Sequence, residues 1–268
     1  MQEFLVRTSH RPRPLPIGHW SMTQRWNDLL LAHWPIPATA IAPLLPEDLQ
    51  VDTFQGSAWL GAVPFWTDRI KLHSMPPIPG INLCPGLNLR TFVYDQRTRT
   101  SGIYNFSIDA NSLLATALGR FHHQPCHWAE TRLEQRSERE FAFYSRRKLV
   151  KTPVLFQAQY CGLGPSHKSA ECRSGSFEHF MLERYCLFSS NRRGQLLRSN
   201  LHLITWPLEE ARAVIERNDL AAAAGIPQPQ EEPVLHYMRR LAIYIWPAVR
   251  VRPIAATRPV TVPVTHPG

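Results

Sequence analysis

Two polar residues of complementary chemistry, Asn88 and Arg90, stand two apart in the stretch from Leu87 to Tyr94. In extended backbone that spacing puts both side chains on one face. If the face looks inward, an amide and a guanidinium together can grip a carboxylate or carbonyl through charge-assisted hydrogen bonds. The competing reading is a structural ion pair of Arg90 with Asp109, Glu178 or Glu183. A second group, His122, His123, Cys126 and His127, brings imidazole nitrogens and a soft sulfur close together in the chain, the atoms that zinc prefers. Its spacing matches no established finger or H-E-x-x-H pattern, so no metal is assigned. Cys126 beside His127 has the groups of a thiolate-imidazole nucleophile, although neighbours on a strand point to opposite faces. Asp109 is a candidate general acid or base, with capping of the helix that follows as the competing role. Cys126, His127 and Asp109 are thus the catalytic candidates. His202 and His236 lie in apolar strand-like runs and read as structural histidines.

The elements that must position these groups are mostly strands. From Leu87 to Tyr94 the pattern has period two, the polar segment Asp95 to Gly102 turns, and Ile103 to Asp109 alternates again, which predicts a hairpin. Between Asn111 and Phe121 the residues Leu113, Leu114, Ala117, Leu118 and Phe121 fall on one helical face, predicting a helix capped by Asp109 or Asn111 and packed on the sheet. Ala58 to Phe65 is apolar on both faces, as a buried strand is. Further strands are expected at His127 to Leu133, Glu140 to Arg146, Val154 to Cys161, Tyr185 to Ser189, Gln195 to Thr205 and Val234 to Trp246, with helices at Phe177 to Arg184 and Leu208 to Arg217. Many strands, scattered helices and no regular alternation favour an α+β or barrel-like sheet over a doubly wound one.

Composition bounds the rest. The chain has 268 residues, 44% of them hydrophobic, with 8 Trp, 12 Phe and 7 Tyr, so a sizeable core is available. The net charge of +9 is concentrated at the ends: Arg7, Arg11, Arg13 and Arg25 near the start, Arg250, Arg252 and Arg258 near the finish. That distribution ranks nucleic-acid binding last. Residues 1–21 and 253–268, rich in proline, are expected to be disordered tails around a single domain at 22–252; Met22 is a second candidate start. Five cysteines without a C-x-x-C pair fit a reduced cytoplasm. The first 20 residues lack the apolar run of a signal peptide core, and no apolar stretch approaches the length of a membrane span.

Several stretches, in order along the chain, carry a family resemblance: MTQRWNDLLLAHWP (22–35), LLPEDLQVDTFQGSAWLG (44–61), NLRTFV (88–93), EHFMLERYCLFS (178–189), WPL (206–208) and LHY (235–237). The chain resembles the YqjF-like proteins, domain of unknown function 2071. The resemblance implies a fold similar to acetoacetate decarboxylase: a mainly antiparallel, cone-like barrel with a few packed helices and a small-molecule pocket. The family's strand usually reads E-x-N-x-R, and Gly86 stands here where its acid would be. The decarboxylase relatives use a lysine as Schiff base; the comparable stretch is GRFHHQPCH (119–127), in which Cys126 and His127 replace lysines. Lys71, Lys148, Lys151 and Lys168 are the only lysines, all in polar surroundings, so imine chemistry is not expected. Arg120, in the same stretch, joins Asn88 and Arg90 as a substrate-binding candidate. The expected ligand is an anionic or carbonyl-bearing small molecule, an organic acid, handled without a cofactor by an enzyme or by a non-catalytic sensor or carrier.

Overall fold

The computed structural model describes residues 8, 11, 13–76, 83–165, 173–203 and 208–251. Lys168, Cys172, Trp206 and the Pro-rich 253–268 tail lie outside them, as do Arg7, Arg252 and Arg258.

Strands dominate. In chain order they are β1 (Met22–Ile36), β2 (Gln50–Val51), β3 (Ala58–Leu72), β4 (Cys84–Asp95), β5 (Thr100–Ala110), β6 (Cys126–Gln135), β7 (Glu140–Arg147), β8 (Leu155–Gly162), β9 (Cys186–Ser190), β10 (Leu196–Leu203), β11 (Glu209–Asn218), β12 (Val234–Ile245) and β13 (Val249–Arg250). Among the described residues four short α-helices accompany them: α1 (Ala38–Ile41), α2 (Leu113–Phe121), α3 (Phe177–Leu182) and α4 (Leu220–Ala223). All strands belong to one mixed sheet in which β12, β1, β3, β4 and β5 run side by side. Two arms leave this central block. One goes from β5 through β6, β7, β8 and β11 back to β12; the other goes from β5 through β9 and β10 to the same strand. The ring is partial, because its seams are short: β5 meets β6 and β9 in parallel over a few residues, and β11 touches β12 over two pairs. The expected cone-like barrel is therefore a mixed sheet with a partial ring.

Period-two burial explains the central block. On β3, Ala58, Leu60 and Ala62 enter one core with Leu87, Leu89, Phe141, Phe143 and Phe156. Their neighbours Trp59, Val63 and Phe65 enter a second core with Phe92, Met181, Leu182, Leu203 and Ile243. The same division holds on β1, where Leu30 and Ala32 face one core and Leu29 and Leu31 the other. A strand apolar on both faces belongs in the middle of such a stack. Side chains at odd and even positions of the central block thus serve different halves of the molecule.

The predicted hairpin is β4 with β5. Two other expectations change. Leu208 to Arg217 forms strand β11, not a helix: its Ala, Glu and Arg favour helix locally, but pairing with β8 and burial of Ala211, Ala213 and Ile215 against the first core override propensity. Helix α2 forms where predicted, yet it is capped by Ser112, whose side chain accepts from the Ala115 N–H. Most of its expected inner face is turned outward, with Leu113 58%, Leu114 50% and Phe121 78% exposed; of that face Leu118, together with Ala115, packs toward Met22 and Ile70.

Part of the N-terminal segment expected as a tail is docked. Trp20 packs with Tyr244 and Trp246, Arg11 donates to the Leu201 carbonyl at 2.7 Å and lies over the Tyr185 ring, and Arg13 donates to Thr100 and to the Thr98 carbonyl. Those arginines are occupied.

Asp109, the general-acid candidate, is on β5 and buried. It accepts from Arg147 Nε at 2.8 Å and from Ser145 at 3.0 Å, and Arg147 also donates to Ser107 at 2.6 Å. These bonds tie β5 to β7 across the seam at β6. Removing one partner of a buried pair strands the other charge. Asp109→Ala is expected to cost about 3–5 kcal/mol in urea denaturation, whereas Glu130→Ala, breaking the exposed Lys148 contact, leaves the midpoint nearly unchanged.

Candidate functional site

The site begins with the phase of β4. Leu87 and Leu89 point into the first core, so Gly86, Asn88 and Arg90 point into the half that holds the second. There they line a cavity of about 160 Å³. On the partner strand a bulge shifts the register: Leu89 pairs with Ser107 and Arg90 with Asn105, which leaves Phe106 as the extra residue. The phase reset turns both Asn105 and Ile108 toward the cavity while Ser107 reaches Arg147. Asn105 stands directly across from Arg90, and Ile108 from Asn88. The remaining wall comes from Met22 and Trp26 on β1, Phe65 and Ile70 on β3, Leu201 and Leu203 on β10, Ile243 and Ile245 on β12, and Ala115 and Leu118 on α2.

Arg90 is the unusual member. It is 2% exposed, yet among the described residues it has no carboxylate partner. Its Nε has no hydrogen-bond partner, and Nη2 makes one long contact of 3.5 Å with His33 Nε2. The expected alternative pairs are therefore not formed: Asp109 belongs to Arg147, Glu178 to His236 and Glu183 to Tyr185. Burial, followed by the nearby Arg184 charge, brings the Arg90 guanidinium down to about 10, so it stays cationic at neutral pH. Two further buried atoms beside it lack partners, Asn88 Oδ1 and Asn105 Oδ1. Unsatisfied buried polar atoms are rare in native proteins, and here three of them gather at one end of one cavity.

His33, which the sequence reading passed over, underlies this end. It is fully buried on β1, stacks on Phe92 with ring centroids 5.4 Å apart, and is closely met by Gly61, where any Cβ would fall 2.7 Å from the imidazole. Burial, then the Arg90 charge and His236, holds its pKa well below the ordinary histidine value, so the ring is neutral.

The other candidates are dispersed. Cys126 lines the cavity, but burial pushes its thiol up to about 12, the opposite of an activated thiolate. His127 lies on another face, in a surface groove with Phe121, Trp128 and Leu149; burial, then Arg147 and Arg120, lowers it to about 4. Arg120 is outside the cavity, donating through Nε to the Cys126 carbonyl at 2.8 Å. Among the described residues no three His, Cys, Asp or Glu side chains converge to hold a metal ion. None of the described lysines lines the cavity: Lys71 and Lys151 are exposed and Lys148 binds Glu130 at 2.7 Å. The cavity shares Asn105, His122 and Gln124 with an outer groove bordered by Arg120, Arg192 and Arg193. Asn105 donates to Gln124 at 3.2 Å across that mouth.

A family model described as an uncharacterized conserved protein, domain of unknown function 2071, matches residues 23–242. The chain belongs to this family. Its residues are 35% identical over 235 positions to YqjF of Bacillus subtilis, covering 87% of this chain and 93% of that protein. In structure it is similar to an acetoacetate decarboxylase-like enzyme of Sphingomonas wittichii RW1, with a TM-score of 0.60, 12% identity and coverage of 88% and 94%. It is similar also to the enduracididine biosynthesis enzyme MppR complexed with pyruvate, with a TM-score of 0.60, 8% identity and coverage of 87% and 91%. At those identities the likeness is one of fold. Within the family's fold, then, this chain has an acetoacetate decarboxylase-like framework. Among its described residues no helix is long and apolar enough to cross a membrane.

The depressed His33 has a consequence for stability. Its folded pKa lies below the unfolded value of about 6.5, so below that pH the unfolded chain takes up a proton that the folded chain refuses, and stability falls as the solution is acidified. His127 adds to the same loss between about 6.5 and about 4. Denaturant midpoints are expected to drop from pH 7.5 to pH 5, and His33→Gln to flatten that slope.

Proposed function

We propose that the cavity binds the carboxylate of a small organic acid, with Arg90 as counter-charge and the Asn88 amide N–H groups donating to an oxygen, while Asn105 Oδ1 is left to accept from a donor elsewhere on the ligand. One observation carries this reading: a guanidinium almost wholly removed from water, lining a cavity, with no acid beside it among the described residues. A buried cation is costly unless paired, and a bound carboxylate supplies the pair. MppR is complexed with pyruvate in its structure, which by analogy of fold makes a carboxylate ligand reasonable here.

The role favoured is binding, as a sensor or carrier, over covalent catalysis. Asp109 is held by Arg147 and Ser145, Cys126 is held as a thiol, and no described lysine reaches the cavity. A reducing compartment, the cytoplasm, fits Cys84, Cys126, Cys161 and Cys186, all free. Nucleic-acid binding through the amino-terminal segment is disfavoured, because Arg11, Arg13 and Arg25 are engaged with Leu201, Thr98 and Asp68.

Two measurements test this. In a thermal-shift screen of organic acids, the parent protein is expected to be protected by at least one acid and Arg90→Ala by none, while Arg90→Ala still melts cooperatively; equal protection in both removes Arg90 from the site. Incubation with acetoacetate and borohydride is expected to leave every lysine unmodified, and a labelled lysine would refute the exclusion of imine chemistry.

A further inference from the structure

Resting on the carboxylate reading above, the geometry points to a narrower ligand class: a monocarboxylic acid with an apolar tail, aliphatic or aromatic, of about six to ten heavy atoms in all. The cavity is two-ended. Its polar end is Arg90 with Asn88 and Asn105. Beyond these the wall is Trp26, Phe65, Ile103, Leu203, Ile243 and Ile245. Phe65 stacks on Trp26, ring centroids 4.7 Å apart at 17°, and it comes so near β4 that a Cβ on Gly86 would lie 2.9 Å from its Cζ. Glycine at 86 is thus what admits the ring.

Several polar groups elsewhere in the wall are already used. Gln24 accepts from the Trp26 indole at 2.7 Å and donates to Met22 Sδ. Thr67 donates to the Cys84 carbonyl, and Asp109 is neutralised by Arg147. Among the described residues no second Lys or Arg lines the space beside Arg90, and burial, then His123, holds the His122 pKa below the ordinary histidine value. A dicarboxylate would leave one charge against hydrocarbon. A two- or three-carbon acid would leave the apolar end unfilled. The volume of about 160 Å³ is close to that of an engineered apolar cavity that takes up benzene, which sets the tail at about a six-carbon ring or chain.

Calorimetric titration of the full chain with acetate, pyruvate, butyrate, hexanoate, benzoate, decanoate, succinate and the neutral hexanamide decides it. Affinity is expected to rise about fourfold per methylene from butyrate to hexanoate, with benzoate alongside hexanoate, decanoate weaker, and succinate and hexanamide at least tenfold weaker than hexanoate. Ala115→Leu, which fills the cavity from the helix side, is expected to shift the optimum to shorter acids, and Phe65→Leu to longer ones. If Phe65→Leu does not fold, Ala115→Leu alone carries the comparison. Acids that bind in an Arg90-dependent way with no preference for length, or succinate equal to hexanoate, would overturn the tail while leaving the carboxylate site intact. No binding by any acid would overturn both.

Discussion

Burial of the central strands on both faces is the constraint from which the remainder follows. A strand apolar at odd and even positions alike can only be satisfied by two cores, and β12, β1, β3 and β4 supply side chains to both. The two arms of the sheet exist to cover them: β7, β8 and β11 close over one face, β9, β10 and α3 over the other. Within that wall, parity becomes a sorting rule. A polar residue at an even position of β4 has no solvent to reach, so Asn88 and Arg90 enter the second half of the molecule because Leu87 and Leu89 fill the first.

The other buried arginines show how a charge is ordinarily accommodated here. Arg147 lies in a fork of Asp109 and Ser107. Arg184 is paired with Asp52 and lies over both the Phe92 and Phe180 rings, an arrangement that combines ion pairing with cation-π attraction. Arg25, only partly buried, likewise has Asp68, itself held by Asn27. Against that pattern Arg90 stands apart with a neutral histidine and two amides. The fold can pair arginines and leaves this one open, at the one end of a cavity where three polar atoms lack partners.

Local pattern made much of this legible. The β4–β5 hairpin, the two-faced β3 and the shared face of Asn88 and Arg90 all follow from period two, which is a short-range property. What escaped depends on distant contacts. Strand β11 has helix-forming residues, and only its ladder with β8 makes it extended. Helix α2 has an amphipathic stripe of which Leu113, Leu114 and Phe121 face outward while Leu118 packs inward, something no periodicity can reveal. Asn105 was invisible because a bulge, set by pairing, decides its direction. His33 sits among Leu30, Leu31, Ala32 and Trp34 with no polar neighbour to mark it; its signal was its isolation, since a lone histidine in an apolar run buried on both faces has to be kept neutral by what surrounds it.

Gly86 links charge to shape. It lies on the same face as Asn88 and Arg90. An acid there would add negative charge to that face and, by its Cβ alone, would collide with Phe65. With glycine both effects reverse at once: the guanidinium loses a potential internal partner, and an aromatic ring moves into the space. Electrostatics and packing at this site are therefore not independent choices. The glycine that offers the cation no acid on its own strand is the same residue that gives Phe65 its place beside it, and in such surroundings a charge is felt far more strongly than in water.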